Sequence, residues 1–367
     1  MKTHSILLIS FIIINNVMAQ PNQPNQFQSI LNKTVDNKKV FGTSFAIKKD
    51  TLFWNGASGN LSIDQPYFIA STTKLFTTAI ILKLRAENKL SLEDNISKYI
   101  DKSILSGLHI YKEKDYSQEL TIKHLLAHTS GLPDYFQDKG PNGKSLKDEL
   151  VSGSYDQLLS FEQTIKRTKE IKPQFAPGTK GKAHYSDANF QLLGKIIETI
   201  TNKSYSDNCK DLIIQPLGLT KTYLYQDSTD KTPRTLFYKS TELNIPKAMA
   251  SAGPDGGMVS TSTDMLIFIE AFFTGKIFPK EYINGLQEWN KIFFPMKSGI
   301  GIHLFKLPWI FNPTGAVPYF IGHSGLSGAL AYYSPKENIF VVGTVNQVAH
   351  PDISFKTMIK LTQQIMK

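Results

Sequence analysis

The chain has 367 residues, a formal net charge of +10 and a single cysteine, Cys209. Its 41 Lys and Arg residues are dispersed along the chain, which favours solubility or affinity for an anionic surface over nucleic-acid recognition. One cysteine excludes an internal disulfide, and the eight scattered histidines show no metal-ligand spacing, so we expect no metal and no other cofactor. A chain of this length can bury a large core without such crosslinks.

Residues 1–19 have the features of a secretory signal peptide. Lys2 precedes the apolar run 6–14, and Val17-Met18-Ala19 forms a small-residue cleavage site. The run is shorter than the roughly 20 residues that span a bilayer, so an uncleaved anchor is only the alternative. The sequence therefore predicts a secreted or periplasmic protein with no stable membrane span after cleavage. A polar, proline-containing tether is predicted at 20–26.

The predicted elements place strands at both ends of the chain and helices between them. In chain order they are strands at 40–48 and 51–57, helices at 75–84, 92–100, 120–126, 190–199 and 265–273, strands at 300–305, 319–323, 328–333 and 339–345, and a helix at 353–366. This order predicts an α/β (α+β) fold with an antiparallel sheet built from both termini. The expected domains are a sheet domain, 27–90 and 256–367, and an inserted helical lobe, 91–255.

Two loops bear on the width of the predicted cleft and on its chemistry. Residues 140–153 predict a polar, flexible excursion, and we expect that loop and the segment 290–297 to set the pocket width. Residues 127–133 contain His128, Ser130 and Gly131 and resemble a fragment of a catalytic triad. We interpret them as a tight turn whose hydroxyl groups bond the backbone.

The stretch from Phe68 to Phe76 carries the strongest chemical signal. Ser71 is predicted in the first turn of a core helix that stops near Asn88, and Lys74 follows on the same face. A lysine that is desolvated in a core can have a lowered pKa and can then activate a serine nucleophile. A second Ser-x-x-Lys, at Ser228, lies in a polar stretch that we interpret as a surface loop.

These residues resemble the serine β-lactamase and D-alanyl-D-alanine carboxypeptidase (penicillin-binding protein-like) superfamily, and in particular its class C β-lactamase-like branch. Ser71-Thr72-Thr73-Lys74 matches the family's Ser-x-x-Lys motif. Tyr185-Ser186-Asp187 lies where the family has Tyr-x-Asn, and His323-Ser324-Gly325 fits its Lys-Thr-Gly or His-x-Gly triplet. The similarity extends from about Phe41 to the end of the chain. Literal copies of two motifs, at Tyr282 and Lys297, lack the family's order and flanks.

The resemblance implies a role for each matched residue. Ser71 is the nucleophile, and Lys74 and Tyr185 share the task of moving its proton. Asp187 orients the lysine, and the amides of Ser71 and Leu326 form the oxyanion hole. The substrate-binding residues it implies are Asp187, His323, Ser324, Gly325 and Leu326.

Two positions depart from the family pattern. Asp187 replaces the usual Asn, and an Asp pairs with Lys74 but donates to a substrate carbonyl only when it is protonated. His323 replaces the Lys of the better-known β-lactamases, and a neutral imidazole holds a carboxylate less firmly than an ammonium does.

The predicted function is that of a secreted serine hydrolase that works through an acyl-enzyme. Its expected substrates are D-amino-acid peptides, as for a D-alanyl-D-alanine carboxypeptidase, or related small amides and esters, with peptidoglycan among the candidates. A β-lactamase or an esterase is the alternative within the same chemistry. A non-catalytic relative that binds peptidoglycan or a partner is a third, although intact Ser71, Lys74 and Tyr185 argue against it. We expect a monomer with no nucleic-acid partner.

Overall fold

An eight-stranded antiparallel sheet organises the described residues, 23–153 and 155–367 of a computed structural model. The predicted signal peptide lies outside these residues. In chain order the strands are β1 (Gly42–Lys49), β2 (Leu52–Gly59), β3 (Tyr67–Phe68), β4 (Ile110–Tyr111), β5 (Lys114–Asp115), β6 (Tyr223–Leu224), β7 (Leu236–Tyr238), β8 (Thr241–Leu243), β9 (Met258–Ser260), β10 (Asn290–Lys291), β11 (Met296–Ser298), β12 (His303–Phe305), β13 (Phe320–Ser324), β14 (Ala329–Ser334) and β15 (Ile339–Thr344). The large sheet has the order β10-β11-β12-β13-β14-β15-β1-β2.

The helices lie on both faces of this sheet and in the segment between its two halves. In chain order they are α1 (Gln23–Thr34), α2 (Lys74–Ala86), α3 (Lys102–Leu105), α4 (Ile122–Leu126), α5 (Leu146–Val151), α6 (Phe161–Lys169), α7 (Asp187–Thr201), α8 (Tyr205–Cys209), α9 (Gln215–Leu217), α10 (Pro246–Ser251), α11 (Gly253–Gly256), α12 (Ser262–Thr274), α13 (Tyr282–Gly285) and α14 (Asp352–Ile365). A π-helical turn, Lys210–Ile214, joins α8 to α9. None of the helices in the described part of the chain combines the length and apolarity needed to cross a bilayer.

Alternate residues of the central strands enter two separate cores. Phe45, Leu330 and Val341 pack with α1 and α14 on one face of the sheet. Ala46 and Val342 point to the other face, where α2 and α12 lie. This period of two is what a strand buried on both faces requires. The predicted fold class is therefore confirmed, with β1 and β2 from the N-terminal part of the chain and β10–β15 from the C-terminal part. The boundaries drawn at 90 and 255 remain a prediction.

The N-terminal part of the described chain differs from the prediction. Residues 23–26 of the expected tether form the first turn of α1 instead. Phe27 and Leu31 are fully buried one helical turn apart, against Leu361 and its neighbours on α14. Burial of this narrow apolar stripe stabilises a helix whose N-terminal residues are all polar or proline.

Two further segments have a different secondary structure from the one predicted. The helix expected at 92–100 is only a 3₁₀ turn, Ile96–Lys98, because Asn95 and Ile96 pair with the backbone near Leu120 and Thr121. The excursion expected at 140–153 contains α5, which begins with a capping box between Ser145 and Asp148. That Ser-x-x-Asp signature was present in the sequence.

Candidate active site

Ser71 lies in the short connection between the end of β3 and the start of α2. It belongs to a 3₁₀ turn, Ala70–Thr73, so it precedes α2 rather than lying in its first turn. Ala70 has φ of +45°, in the left-handed region that costs a residue with a side chain about 1–2 kcal/mol. α2 is buried along most of its length, and it ends at Ala86, with Glu87 as its C-cap and Asn88 left-handed, as predicted.

Lys74 is completely buried, and its ammonium group makes hydrogen bonds. Its Nζ donates to Asp187 Oδ1 at 2.5 Å and to the carbonyl oxygen of Asp255 at 2.7 Å. It also lies 5.0 Å from the centre of the Tyr185 ring. Burial lowers the pKa of Lys74, but the charge of Asp187 raises it, with smaller contributions from Tyr185 and Asp255. The raising effects outweigh burial, so the net pKa is above the ordinary value. The lowered lysine pKa expected from the sequence is therefore wrong for this state of the site.

Tyr185 lies beside Ser71 and Lys74, as the motif spacing predicted. Burial raises the pKa of its hydroxyl, while the charge of Lys74 and hydrogen bonds to Lys74 and Ser71 lower it; the net pKa is raised. The ring stacks on His128 with centroids 4.6 Å apart. The phenol is therefore held neutral next to the serine, in a position to pass a proton between Ser71 and its surroundings.

Three carboxyl groups surround the Lys74 ammonium. Asp187 pairs with it directly, and the Asp187 amide donates to Asp134 Oδ1 at 3.2 Å. Burial, then the charge of Asp187, holds the pKa of Asp134 well above its usual range. The same two causes raise the pKa of Asp255 to about 7, although Lys74 opposes them. Protons on Asp134 and Asp255 relieve the repulsion that three ionised carboxylates would impose.

The predicted substrate-binding triplet lies at the end of β13, facing Ser71. A Cβ added to Gly325 would come within 2.4 Å of the Ile69 carbonyl oxygen and 3.1 Å of the Ser71 nitrogen, so this position requires glycine. Within the described residues, neither the Ser71 amide nor the Leu326 amide donates to a backbone carbonyl. The backbone carbonyl oxygen of Ser324 accepts a hydrogen bond from His323 Nδ1 at 2.8 Å.

A cluster of three buried histidines adjoins Tyr185: His128, His303 and His323. One ring nitrogen of each lies within 4.8 Å of the others. The structure thus brings together residues in which the sequence showed no ligand spacing. His128 comes from the turn at 127–133, which we interpreted as purely structural, and His303 had no motif to mark it.

Hydrogen bonds fix the tautomers of two of these rings. His128 Nδ1 accepts from the Ser186 amide at 3.1 Å, so its Nε2 carries the proton. His323 Nδ1 donates to a carbonyl, so its Nε2 is a bare acceptor. Nitrogen ligands of a tetrahedral zinc ion lie about 3.4 Å apart and must offer lone pairs. Because His128 offers a proton instead, the set does not match the donors that a divalent metal needs. Within the described residues, the Nε2 atoms of all three rings have no hydrogen-bond partner.

All three imidazoles are held neutral. Burial is the main cause: it lowers the pKa of His303 to about 3, with a contribution from the charge of Lys74. Burial, then His303 and Lys74, puts the pKa of His323 well below its ordinary value, and burial does the same for His128. The residue at the family's Lys-Thr-Gly position is therefore an uncharged hydrogen-bond acceptor.

Two cavities meet at Ser71. The first, of about 100 Å³, is lined mostly by apolar side chains from α5, β7, β8 and α10, among them Leu146, Leu150 and Met249. The second, of about 460 Å³, lies on the side of Tyr185 and His323. Both segments expected to set the pocket width contribute, since α5 lines the first cavity and Phe293 to Met296 line the second.

An antiparallel sheet whose strand β13 faces a serine, a buried lysine three residues further along the chain and a tyrosine defines the serine β-lactamase/transpeptidase class. The chain belongs to the beta-lactamase family, whose model matches residues 27–358. The superfamily predicted from the motifs is therefore confirmed, and it is a superfamily of serine hydrolases.

Comparison with a curated relative gives the same family at low identity. The chain is 23% identical over 337 residues to Protein flp of Staphylococcus aureus, strain MRSA252, covering 88% of this chain. It spans 62% of the length of that relative.

Solved structures with the same fold include two amide hydrolases and one further hydrolase. D-stereospecific amidohydrolase from Streptomyces sp. has a TM-score of 0.73 at 23% identity, over 91% of this chain and 97% of that one. D-amino acid amidase from Ochrobactrum anthropi SV3 has a TM-score of 0.75 at 20% identity, over 94% and 99%. EstCE1, described as a hydrolase with promiscuous acyltransferase activity, reaches 0.76 at 18% identity, over 94% and 99%. A penicillin-binding protein homologue from Pyrococcus abyssi with this fold is octameric, so a monomer remains a prediction here.

Proposed function

We propose that this protein is a serine hydrolase that cleaves neutral amides and esters, in particular those of D-amino acids, through an acyl-enzyme on Ser71. The observation that carries the proposal is the convergence of Ser71, Lys74 and Tyr185 on one cleft, with Lys74 buried and held by Asp187 at 2.5 Å. A buried lysine in an ion pair is costly to retain for stability alone. Export through the segment 1–19 belongs to the same proposal.

The proton pathway follows from the resting state of the site. Lys74 is protonated and Tyr185 is neutral, so neither can accept the Ser71 proton directly. As Tyr185 takes the proton from Ser71, it passes its own proton to Lys74, and Lys74 passes one of its protons to Asp187 across their hydrogen bond, so Lys74 stays an ammonium throughout. The Ser71 oxygen bonds to the carbonyl carbon to give the tetrahedral intermediate. The bond to the leaving group then breaks as the relay runs in reverse, with Tyr185 protonating the leaving group and regaining a proton from Lys74, which regains one from Asp187.

Asp187 gains a second use in this scheme. Once protonated it becomes a hydrogen-bond donor, which an ionised carboxylate is not. It can then hold a substrate carbonyl in the way that the family's usual Asn does. This supports amide substrates despite the Asn-to-Asp difference. The amides of Ser71 and Leu326 stabilise the tetrahedral oxyanion, an effect of roughly 10²–10³ in rate per donor.

The surroundings of Ser71 support a neutral leaving group. Tyr185, which delivers the leaving-group proton, lies in the second cavity with His323, so the leaving group is assigned to that side. His323 offers an acceptor there and no positive charge. An amide or ester fits this site, whereas the carboxylate of a C-terminal D-alanine would lack a cation at this position. The apolar first cavity takes the side chain of the acyl group.

The relatives support the same substrate class by their names, which refer to a D-stereospecific amidohydrolase and a D-amino acid amidase. The test is a kinetic comparison of D-phenylalanine amide, a small activated ester and D-alanyl-D-alanine. We expect turnover of the first two and little of the third, and loss of all turnover in Ser71→Ala.

Tyr185→Phe separates the role of the phenol from that of the nucleophile. It removes only the hydroxyl, and we expect a fall in kcat of about 10²-fold or more with KM little changed. Full activity in Tyr185→Phe together with loss in Ser71→Ala would remove Tyr185 from the mechanism. Preference for D-alanyl-D-alanine over the amide would contradict the neutral-leaving-group assignment.

A further inference from the structure

A cluster of exposed apolar side chains lies beside the mouth of the second cavity. Five large apolar residues on two loops are exposed, and we call them the apolar rim: Phe293, Phe294, Trp309, Ile310 and Phe311. Phe294 is 79% exposed and Trp309 is 80% exposed. Contiguous exposure of such side chains commonly marks a surface that contacts a partner or a membrane.

Strand register shows that the two loops leave the sheet at the same end. Met296, the first residue of β11, pairs with Phe305, the last residue of β12. The hairpin turn 292–295 therefore lies next to the loop that begins at Lys306. Phe294 and Leu307, one from each loop, both line the second cavity. Phe293 and Phe294 are thus part of the entrance through which a substrate would reach Ser71, and the other three residues of the apolar rim lie on the neighbouring loop, outside the cavity lining.

The charged side chains on the two loops of the apolar rim, and directly beside these loops, all have one sign. Asp352, which lines the second cavity, is already paired with Lys356 at 2.6 Å. Residues 289–336 contain no Asp or Glu, and Lys291, Lys297 and Lys306 are exposed within or beside the two loops. Lys291 and Lys297 lie directly opposite each other in the β10–β11 pair, an arrangement that is destabilising for like charges. Among the described residues none of the three lysines has an ion-pair partner. An external anionic surface would relieve this repulsion.

We propose that the apolar rim and its lysines form a peripheral docking surface for an anionic lipid bilayer. Trp and Phe side chains enter the boundary between headgroups and acyl chains, and the lysines contact the anionic headgroups. Docking in this orientation places the mouth of the second cavity at the lipid surface. Substrates that are anchored in or partition into the bilayer then reach Ser71 without leaving it.

The experiment is vesicle flotation of the purified protein, with the same N-terminal residues in every variant. Vesicles of phosphatidylcholine mixed with phosphatidylglycerol are compared with vesicles of phosphatidylcholine alone. We expect binding to the anionic vesicles that weakens with added salt. The triple variant W309S/I310S/F311S should bind about tenfold more weakly, and K291Q/K297Q should lose the preference for phosphatidylglycerol.

Matched controls use exposed residues elsewhere in the molecule. Phe53→Ser and Ile110→Ser remove exposed apolar side chains, and Lys102→Gln removes an exposed lysine; none should change binding. Turnover of a small soluble ester should be unaffected in W309S/I310S/F311S, which shows that the variant is folded and separates this proposal from the hydrolase proposal.

Two outcomes would overturn the docking surface. In the first, the triple variant floats as well as the unchanged protein. In the second, the unchanged protein does not bind anionic vesicles but forms oligomers in solution that the triple variant does not form; the apolar rim would then be a contact between copies of the chain.

Discussion

The raised pKa of Asp255 gives a sharp test of the carboxyl cluster. Burial and the charge of Asp187 raise this pKa to about 7, roughly three units above its ordinary value. At about 1.4 kcal/mol per unit, the shift corresponds to about 4 kcal/mol of folding free energy. Because the folded state holds the proton more tightly than the unfolded chain, this stabilisation is complete below about pH 4 and is lost as the pH rises through 7.

Asp255→Asn removes the titration and keeps the shape. Tyr135 and Gln191 donate to Asp255 Oδ2 at 2.6 and 2.9 Å, and the Asn carbonyl oxygen can accept from both. Near pH 4 the two proteins should have similar stability, because Asp255 is neutral. Near pH 8 the variant should be more stable than the unchanged protein by up to about 4 kcal/mol.

The assay is urea unfolding of both proteins at a series of pH values from about 4 to about 8. At each pH the unfolding free energy of the unchanged protein is subtracted from that of the variant. The contributions of the other titrating groups are the same in both proteins and cancel in this difference. Asp227→Asn is the matched control, because hydrogen bonds from the Thr229 hydroxyl and amide lower the pKa of that exposed carboxyl. For Asp227→Asn, we expect that raising the pH does not make the variant more stable relative to the unchanged protein. A flat difference for Asp255→Asn would refute the argument.

Three further substitutions test other parts of the site. Asp187→Asn leaves the Lys74 ammonium without its ion-pair partner and should lower the free energy of unfolding by roughly 3 kcal/mol. It should also alter the shape of the pH–rate profile. An unchanged profile would mean that Asp187 takes no part in proton transfer. Gly325→Ala places a methyl group against the Ile69 carbonyl and should lower kcat by about tenfold or more with the protein still folded, as read by circular dichroism, whereas full activity would contradict the close approach. Leu150→Trp should raise KM for D-phenylalanine amide but not for D-alanine amide, and equal effects would disprove the acyl-side cavity.

Sequence reasoning identified the residues that converge on the cleft but not their ionisation. Ser71, Lys74 and Tyr185 lie in local motifs whose order is visible in the chain. The protonated state of Lys74 depends also on Asp255, whose backbone carbonyl accepts from the ammonium and which lies far along the chain in α11. Tertiary contacts of this kind have no signature in the local sequence, so the expectation of a lowered lysine pKa could not be corrected before the fold was known.

The same limit explains the histidine cluster and the first helix. His303 lies on a three-residue strand without a motif, and only strand pairing with Gly322 brings it beside His323. α1 begins in a polar, proline-containing stretch, and its helical state is stabilised by burial of Phe27 and Leu31 against α14. In both cases the deciding contact joins segments that are far apart in the chain.

Intact mass spectrometry tests the role of Ser71 most directly. The protein is incubated with a small activated ester and, separately, with a penicillin, and Ser71→Ala serves as the control. We predict a covalent acyl adduct from the ester, located on Ser71 by peptide mapping and absent from Ser71→Ala. If neither reagent ever modifies Ser71, or if the adduct persists in Ser71→Ala, the acyl-enzyme mechanism proposed for this site is wrong.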